Sequence, residues 1–155
     1  MIITDSAAPK HSVSVAGVIT DDHGRALLIQ RRDNGHWEPP GGLLELGETI
    51  EDGLRREVRE ETGLEIDPVA LTGVYKNMTR GIIALVFLCK MPAGLWRLAA
   101  NDEIAAFRWA DEAEVADLAD EAYAIRVLDA MRGPQPTAVR AHDGMRLLTP
   151  DHAQS

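Results

Sequence analysis

The chain has 155 residues, 45% of them hydrophobic and 26% charged, which suits one globular domain with its own core. Its formal net charge of -9 argues against non-specific nucleic-acid binding, because that requires a basic surface. The single cysteine, Cys89, excludes an internal disulfide, and no apolar stretch approaches the roughly 20 residues of a membrane helix. The first residues also lack the features of a secretory signal. We therefore expect a cytoplasmic protein without a membrane span.

The first third of the chain alternates strand-like and breaker-rich segments. Residues 13–20 and 25–32 favour strands, and the turn-forming residues 21–24 between them predict a hairpin. Residues 33–42 contain many helix and strand breakers. They predict a loop with a short strand around Trp37, and this loop continues to Glu48.

A helix is predicted between Thr49, which is a suitable N-cap, and Gly63, which is typical of the residue after a helix. Glu51 and Asp52 fall in the first turn, where the helix dipole favours anions. Gly53 inside the helix costs roughly 1 kcal/mol relative to alanine, which indicates close packing against a neighbour. The candidates for the buried side are Leu54, Val58 and Leu64.

The rest of the chain predicts strands at residues 69–75, 81–90 and 105–110, and helices at 111–118 and 120–131. Strands and helices do not alternate regularly, so we expect an α/β protein with a mixed sheet and helices on both faces. Residues 1–133 would form the domain. Residues 134–155 would form a tail with a short hairpin turning at residues 142–144 and a frayed end.

Three glutamates, Glu57, Glu60 and Glu61, lie on one face of the first helix, because their spacing is i, i+3 and i+4. Each like-charge pair destabilises the helix by roughly 0.2–0.5 kcal/mol. A bound divalent cation would attract all three carboxylates and offset this repulsion. The preceding Gly41 and Gly42 allow the backbone to approach a ligand closely. Carboxylate and carbonyl oxygens suit Mg²⁺ or Mn²⁺, and such sites support water attack on phosphorus.

Residues 42–64 resemble the signature of the Nudix hydrolases, G-x5-E-x7-R-E-U-x-E-E-x-G-U, where U is a bulky aliphatic residue. Residues 37–41 resemble the W-x-x-P-G segment that often precedes it. The resemblance implies a Nudix-type α-β-α sandwich. Every fixed position of the signature is filled, by Gly42, Glu48, Arg56, Glu57, Val58, Glu60, Glu61, Gly63 and Leu64.

The resemblance also implies roles for individual residues. Arg56 would orient the acidic cluster, with Glu48 as its charge partner. The general base is left open between a glutamate of the signature and an acid on a distant loop. For that loop acid, or for an additional metal ligand, Glu103 is the candidate and Asp102 the alternative, and either is equally compatible with a solvated loop acid. The implied metal ligands are Glu57, Glu60, Glu61 and the carbonyl of Gly41.

Several residues outside the acidic cluster are candidates for substrate binding. Trp37 would line a base or sugar pocket, although a packing role is an equal alternative. The cationic side chains could bind phosphate, but the favoured alternative for any one of them is an exposed surface charge. These cationic candidates are Arg31, Arg32, Lys76 and Arg80.

The resemblance implies a Mg²⁺-dependent hydrolase of nucleoside diphosphate derivatives, with Mn²⁺ as a substitute. Residues 77–82 lack the proline typical of ADP-ribose hydrolases, so the favoured substrate is a (d)NTP, cleaved to a nucleoside monophosphate and pyrophosphate. An ADP-ribose or nucleotide-sugar pyrophosphatase is one alternative, and a non-catalytic nucleotide-sensing module is another. The tail is compatible with a homodimer if it adds strands to a partner.

Overall fold

A computed structural model describes residues 7–91, 96–99, 101–133 and 135–149 of the chain. It contains two sheets and three helices within these residues. The elements in chain order are β1 (Ser12–Ile19), β2 (Ala26–Arg31), β3 (Trp37–Glu38), β4 (Gly41–Leu43), α1 (Ile50–Thr62), β5 (Asp67–Asn77), β6 (Ile82–Lys90), β7 (Ile104–Ala110), α2 (Glu112–Leu118), α3 (Glu121–Met131), β8 (Ala138–His142) and β9 (Leu147–Leu148).

The larger sheet has the order β4-β1-β6-β5-β8-β9, and the smaller sheet has the order β3-β2-β7. The larger sheet is mixed, because β1 runs parallel to β6 and antiparallel to β4. The predicted mixed sheet is therefore confirmed.

No helix within the described part of the chain is long and apolar enough to cross a membrane.

Strand β1 separates two hydrophobic cores, because its successive side chains point to opposite faces. Val15 and Ile19 pack in one core with α1 residues such as Leu54. Ala16 and Val18 pack in the other core, which includes residues of α3. The helices α1 and α3 thus cover opposite faces, which confirms the predicted α-β-α arrangement.

Helix α1 begins and ends where the sequence predicts. The Thr49 side chain accepts a hydrogen bond from the backbone of Asp52, and Gly63 adopts a left-handed φ of 79°. The side chains predicted to be buried, Leu54, Val58 and Leu64, are buried. Gly53 is required by close packing, because an added Cβ would collide with the side chains of Leu44 and Glu48.

The predicted hairpin between residues 13–20 and 25–32 is wrong. The two strands form but belong to different sheets, and a single bridge between Thr20 and Ala26 joins them. Both edges of β1 are already paired, one with β4 and the other with β6, so no edge remains for β2. Part of the predicted loop, Gly41–Leu43, is β4 itself.

The tail contributes two strands to the larger sheet. Strand β8 runs parallel to β5, and β9 returns antiparallel to β8 around residues 142–144. A buried polar network links this segment to α3. Its centre is Asp129, whose carboxylate accepts hydrogen bonds from Tyr75 at 2.6 Å and from Arg140 at 2.8 Å. The predicted fraying concerns residues 149–155, of which residues 150–155 lie outside the described residues.

Candidate active site

The two glycines of β4 bring the backbone against the acidic face of α1. The N–H of Gly41 donates a hydrogen bond of 2.6 Å to Oε1 of Glu61. A Cβ on Gly42 would overlap the carboxylate of Glu57, and one on Gly41 would overlap the backbone of β1. A side chain at either position would therefore displace the acids or the strand, so the sequence needs glycine here.

Arg56 is the centre of the acidic cluster. Its Nε and Nη2 donate to the two carboxylate oxygens of Glu48, at 2.7 and 2.8 Å. Its Nη1 donates to Glu57 at 3.0 Å and to Glu60 at 3.3 Å, and Nη2 also reaches the carbonyl of Leu43 at 3.2 Å. One guanidinium therefore contacts three carboxylates and the end of β4.

Glu48, Glu57 and Glu61 experience different electrostatic environments. Hydrogen bonds from Arg56 lower the pKa of Glu48 to about 2. Burial raises the pKa of Glu57, although Arg56 opposes this shift. Burial raises the pKa of Glu61 to about 8, because the bond from Gly41 does not offset the loss of solvent and the repulsion from Glu38. Glu61 is the most deeply buried of the four, with 5% of its surface exposed.

The arrangement fits a hard divalent cation by the chemistry of its donors. Within the described residues no group of three or more His, Cys, Asp or Glu side chains is already gathered as a metal site. Arg56 instead lies between Glu57 and Glu60 and shares their charge. Among the described residues, the buried carboxylate of Glu61 has only the backbone N–H of Gly41 as a hydrogen-bond partner. An oxygen-seeking cation at this end of α1 would supply the missing positive charge.

A cleft of about 390 Å³ opens beside the glycines. Arg31 and Arg80, two of the candidates for phosphate binding, both line it. Arg31 is already engaged, because it pairs with Asp33 at 2.8 Å and with Glu38 at 3.5 Å. Arg80 lines the cleft without an ion pair in the part of the chain that the structure describes. Of these two predicted candidates, Arg80 is therefore the one whose charge is available to a ligand.

Three predicted site residues lie elsewhere in the described structure. The guanidinium of Arg32 donates to the backbone carbonyls of Asp102 and Ile104, which ties β2 to the segment before β7. Trp37 packs against the hydrophobic core that includes residues of α3, which agrees with a packing role for this side chain. Glu103 is exposed in a second depression with Asp102, and the neighbouring Asn101 ties this segment to α1 by donating a hydrogen bond of 2.8 Å to the backbone carbonyl of Glu61. None of these three side chains lines the cleft beside the glycines.

Two cleft residues on α3, Tyr123 and Arg126, were not among the predicted site residues. Arg126 is only 8% exposed. The sequence holds one indication of it, because an arginine on the apolar side of helix AYAIRVLDAM needs a buried polar environment. The pattern alone does not show that this environment belongs to a cleft.

Comparisons with known proteins agree on one family. The family model described as NUDIX domain matches residues 10–131. A "MutT-like protein" of Streptomyces ambofaciens is 53% identical over 143 residues, which cover 92% of this chain and 91% of the relative. An "ADP-ribose pyrophosphatase" of Methanocaldococcus jannaschii is 39% identical, over 69% of this chain and 62% of the relative. The human "8-oxo-dGDP phosphatase NUDT18" is 31% identical, over 86% of this chain but only 36% of the relative.

Proposed function

The chain belongs to the Nudix domain family, and from this premise we propose that it is a MutT-like, divalent-metal-dependent hydrolase of (d)NTPs. The reaction cleaves the pyrophosphate linkage and releases a nucleoside monophosphate and pyrophosphate. The observation that carries the proposal is the cluster in which Arg56 and the backbone of Gly41 position Glu48, Glu57, Glu60 and Glu61 beside a cleft.

Each residue contributes to holding the reacting groups. Glu57, Glu60, Glu61 and the Gly41 carbonyl would hold Mg²⁺ or Mn²⁺, which supplies charge compensation to the phosphoryl oxygens when bound. Arg56 keeps Glu57 oriented while Glu48 fixes Arg56 from the opposite side. Arg80 lines the cleft, where its positive charge stabilises the negative charge of the departing phosphate.

A screen for phosphate products over a nucleotide panel, with Mg²⁺ and with Mn²⁺, tests this function. We expect the highest turnover with a (d)NTP, and we expect Glu61→Gln to abolish turnover without unfolding the protein. Glu51→Gln is the matched control, because Glu51 is an exposed acid in the first turn of the same helix. Near-normal turnover by Glu61→Gln would refute the assignment of this glutamate.

The product distinguishes the alternative substrates. AMP plus a sugar phosphate would identify an ADP-ribose or nucleotide-sugar pyrophosphatase, the activity in the name of the Methanocaldococcus jannaschii relative. Nucleotide binding without release of any phosphate product would indicate a sensing module instead. The complete set of signature glutamates favours catalysis over sensing.

A cytoplasmic location and a homodimer are also part of the proposal. The short strand β9 ends the larger sheet, and Val139 of β8 and Leu148 of β9 are exposed. A second copy could extend the sheet at this edge. Light scattering coupled to size-exclusion chromatography measures the mass directly, and a monomer at all concentrations would exclude the dimer.

A further inference from the structure

Glu61 is the acid of the cluster that Arg56 does not hold. Within the described residues, the Arg56 guanidinium reaches the other three signature glutamates and not this one. The N–H of Gly41 binds the Glu61 carboxylate, but it does not fix the backbone from which this side chain projects. Glu61 is the penultimate residue of α1, and the last carbonyls of a helix have no partners within it. The geometry of this acid therefore depends on what holds the last turn of the helix.

The segment before β7 supplies partners for these carbonyls. The side-chain Nδ2 of Asn101, which is 40 residues further along the chain, donates a hydrogen bond of 2.8 Å to the backbone carbonyl of Glu61. The N–H of Ala99 donates to the carbonyl of Thr62 at 2.9 Å. A Cβ on Gly63 would lie 2.7 Å from the Cβ of Ala99, so the segment packs directly against the helix end. One segment thus satisfies two terminal carbonyls of α1.

The orientation of the Asn101 amide follows from its partners. Its Oδ1 accepts hydrogen bonds from the backbone N–H groups of Glu103 and Ile104, at 3.0 and 3.1 Å. Both of these groups are donors, so the amide oxygen must face them and the NH₂ group must face the carbonyl of Glu61. One side chain thereby joins the turn before β7 to the last turn of α1.

The segment that carries Asn101 is also held independently of α1. The N–H of Arg32 donates to the carbonyl of Glu103 at 2.9 Å. The Arg32 guanidinium donates to the carbonyls of Asp102 and Ile104, at 3.0 and 3.1 Å. A side chain can position another residue only if it is itself fixed, and these bonds to the residue after β2 meet that condition.

We propose that Asn101 is a positioning residue for the divalent-metal site. By holding the carbonyl of Glu61, it keeps the last turn of α1 in place and the Glu61 carboxylate directed at the ion. The proposal rests on the proposed function, since it presumes that Glu61 is a metal ligand. Groups that orient a metal ligand typically change metal affinity by about 10- to 100-fold. The alternative is that Asn101 only shapes the turn before β7.

The substitution Asn101→Asp separates these two roles. The carboxylate keeps an acceptor for the N–H groups of Glu103 and Ile104, but it places a second oxygen against the carbonyl of Glu61. The turn is therefore kept and the link to α1 is lost. Titration of Mn²⁺ alone into the whole protein, followed by the electron paramagnetic resonance signal of the free ion, measures metal binding without turnover. We expect Asn101→Asp to bind Mn²⁺ on the order of 10-fold more weakly, although its added negative charge alone would strengthen cation binding.

Thr49→Ala is the matched control for a loss of stability. Thr49 caps the opposite end of α1 by accepting a hydrogen bond of 3.1 Å from the N–H of Asp52. Its replacement should lower Tm without disturbing the end that carries Glu61, and Mn²⁺ should bind as it does to the original protein. If Asn101→Asp does not fold by circular dichroism, Asn101→Ala takes its place with the same expectation, because alanine removes the link without adding a charge.

The positioning role and the proposed function fail in different ways. An unchanged Mn²⁺ affinity in the folded Asn101 variant would overturn the role of Asn101 and leave the metal site intact. Equal weakening by Thr49→Ala would also overturn it, because the effect would then follow stability and not the position of Glu61. No Mn²⁺ uptake by the original protein would refute the metal site and this inference with it. If Mn²⁺ binds as expected but no nucleotide is hydrolysed, the hydrolase is refuted and the positioning role stands.

Discussion

Asp129 provides a quantitative test of how the C-terminal strands stabilise the domain. Its carboxylate is 5% exposed and accepts two hydrogen bonds of 2.8 Å from Arg140 and one of 2.6 Å from Tyr75. These bonds join α3, β8 and β5. The substitution Asp129→Asn removes the negative charge and one acceptor while it preserves the shape of the side chain.

The expected loss follows from the number and exposure of these contacts. Hydrogen bonds to charged groups contribute about 1.5–3 kcal/mol each, and breaking a fully buried ion pair costs roughly 3–5 kcal/mol. Asparagine still accepts one bond, and the Arg140 side chain is 33% exposed and regains water. We therefore expect a net loss of about 2–3 kcal/mol, which lowers Tm by roughly 4–12 °C for a domain of this size.

The pH dependence of this loss identifies its electrostatic origin. Burial alone would raise the pKa of Asp129, but hydrogen bonds from Arg140 and Tyr75 outweigh it and lower the pKa. The folded state then binds this proton less readily than the unfolded state, so the stabilisation is fully present above the ordinary aspartate pKa of about 3.9. It is lost as the pH falls through the lower pKa of the folded protein.

Urea unfolding followed by circular dichroism at pH 7 and near pH 3 measures the difference between the original protein and Asp129→Asn. The control is Asp117→Asn, an exposed aspartate on α2. We expect the difference to shrink at the lower pH. A difference below about 0.5 kcal/mol at pH 7, within the range of ordinary surface substitutions, would refute the reasoning, as would a difference independent of pH.

Three further predictions concern the site. Arg56→Lys loses the two-pronged contact with Glu48 and should lower kcat about 10- to 100-fold, measured by pyrophosphate release; an unchanged kcat would show that this geometry is not needed. Gly42→Ala places a Cβ against the Glu57 carboxylate and should lower activity at least tenfold. Tm should change little, because the end of the Glu57 side chain can move; a large fall in Tm together with the fall in activity would indicate misfolding instead. Arg32→Met should lower Tm but leave KM unchanged, because the Arg32 guanidinium donates its hydrogen bonds to backbone carbonyls. A raised KM would indicate that Arg32 binds substrate after all.

The sequence predicts most of this fold because the deciding interactions are local. Thr49 and Gly63 define the ends of α1 through contacts within three or four residues. The spacing of Glu57, Glu60 and Glu61 likewise requires only the geometry of one helix. Strand pairing is different, because the partner is chosen across the sheet. The parallel pairing of β1 with β6 joins residues about 70 positions apart, and no local pattern distinguishes it from a hairpin with β2.

The same distinction separates the predicted and missed parts of the site. Arg32 and Arg31 are adjacent and chemically identical, but one faces backbone carbonyls and the other faces the cleft. The register between β2 and β7 also shifts between Gln30 and Arg31. Arg126 was missed because its environment is assembled from α3, β5 and the turn after β8. These relations exist only in the folded chain.

The parallel addition of β8 has a consequence for how the protein can diversify. The strand ends at His142, against Arg126 on the wall of the cleft, while the glutamates of α1 are held on the opposite face. Changes in the last two strands can therefore reshape this wall while the acidic residues of α1 stay intact. Exchanging this segment between relatives would test whether it influences substrate preference.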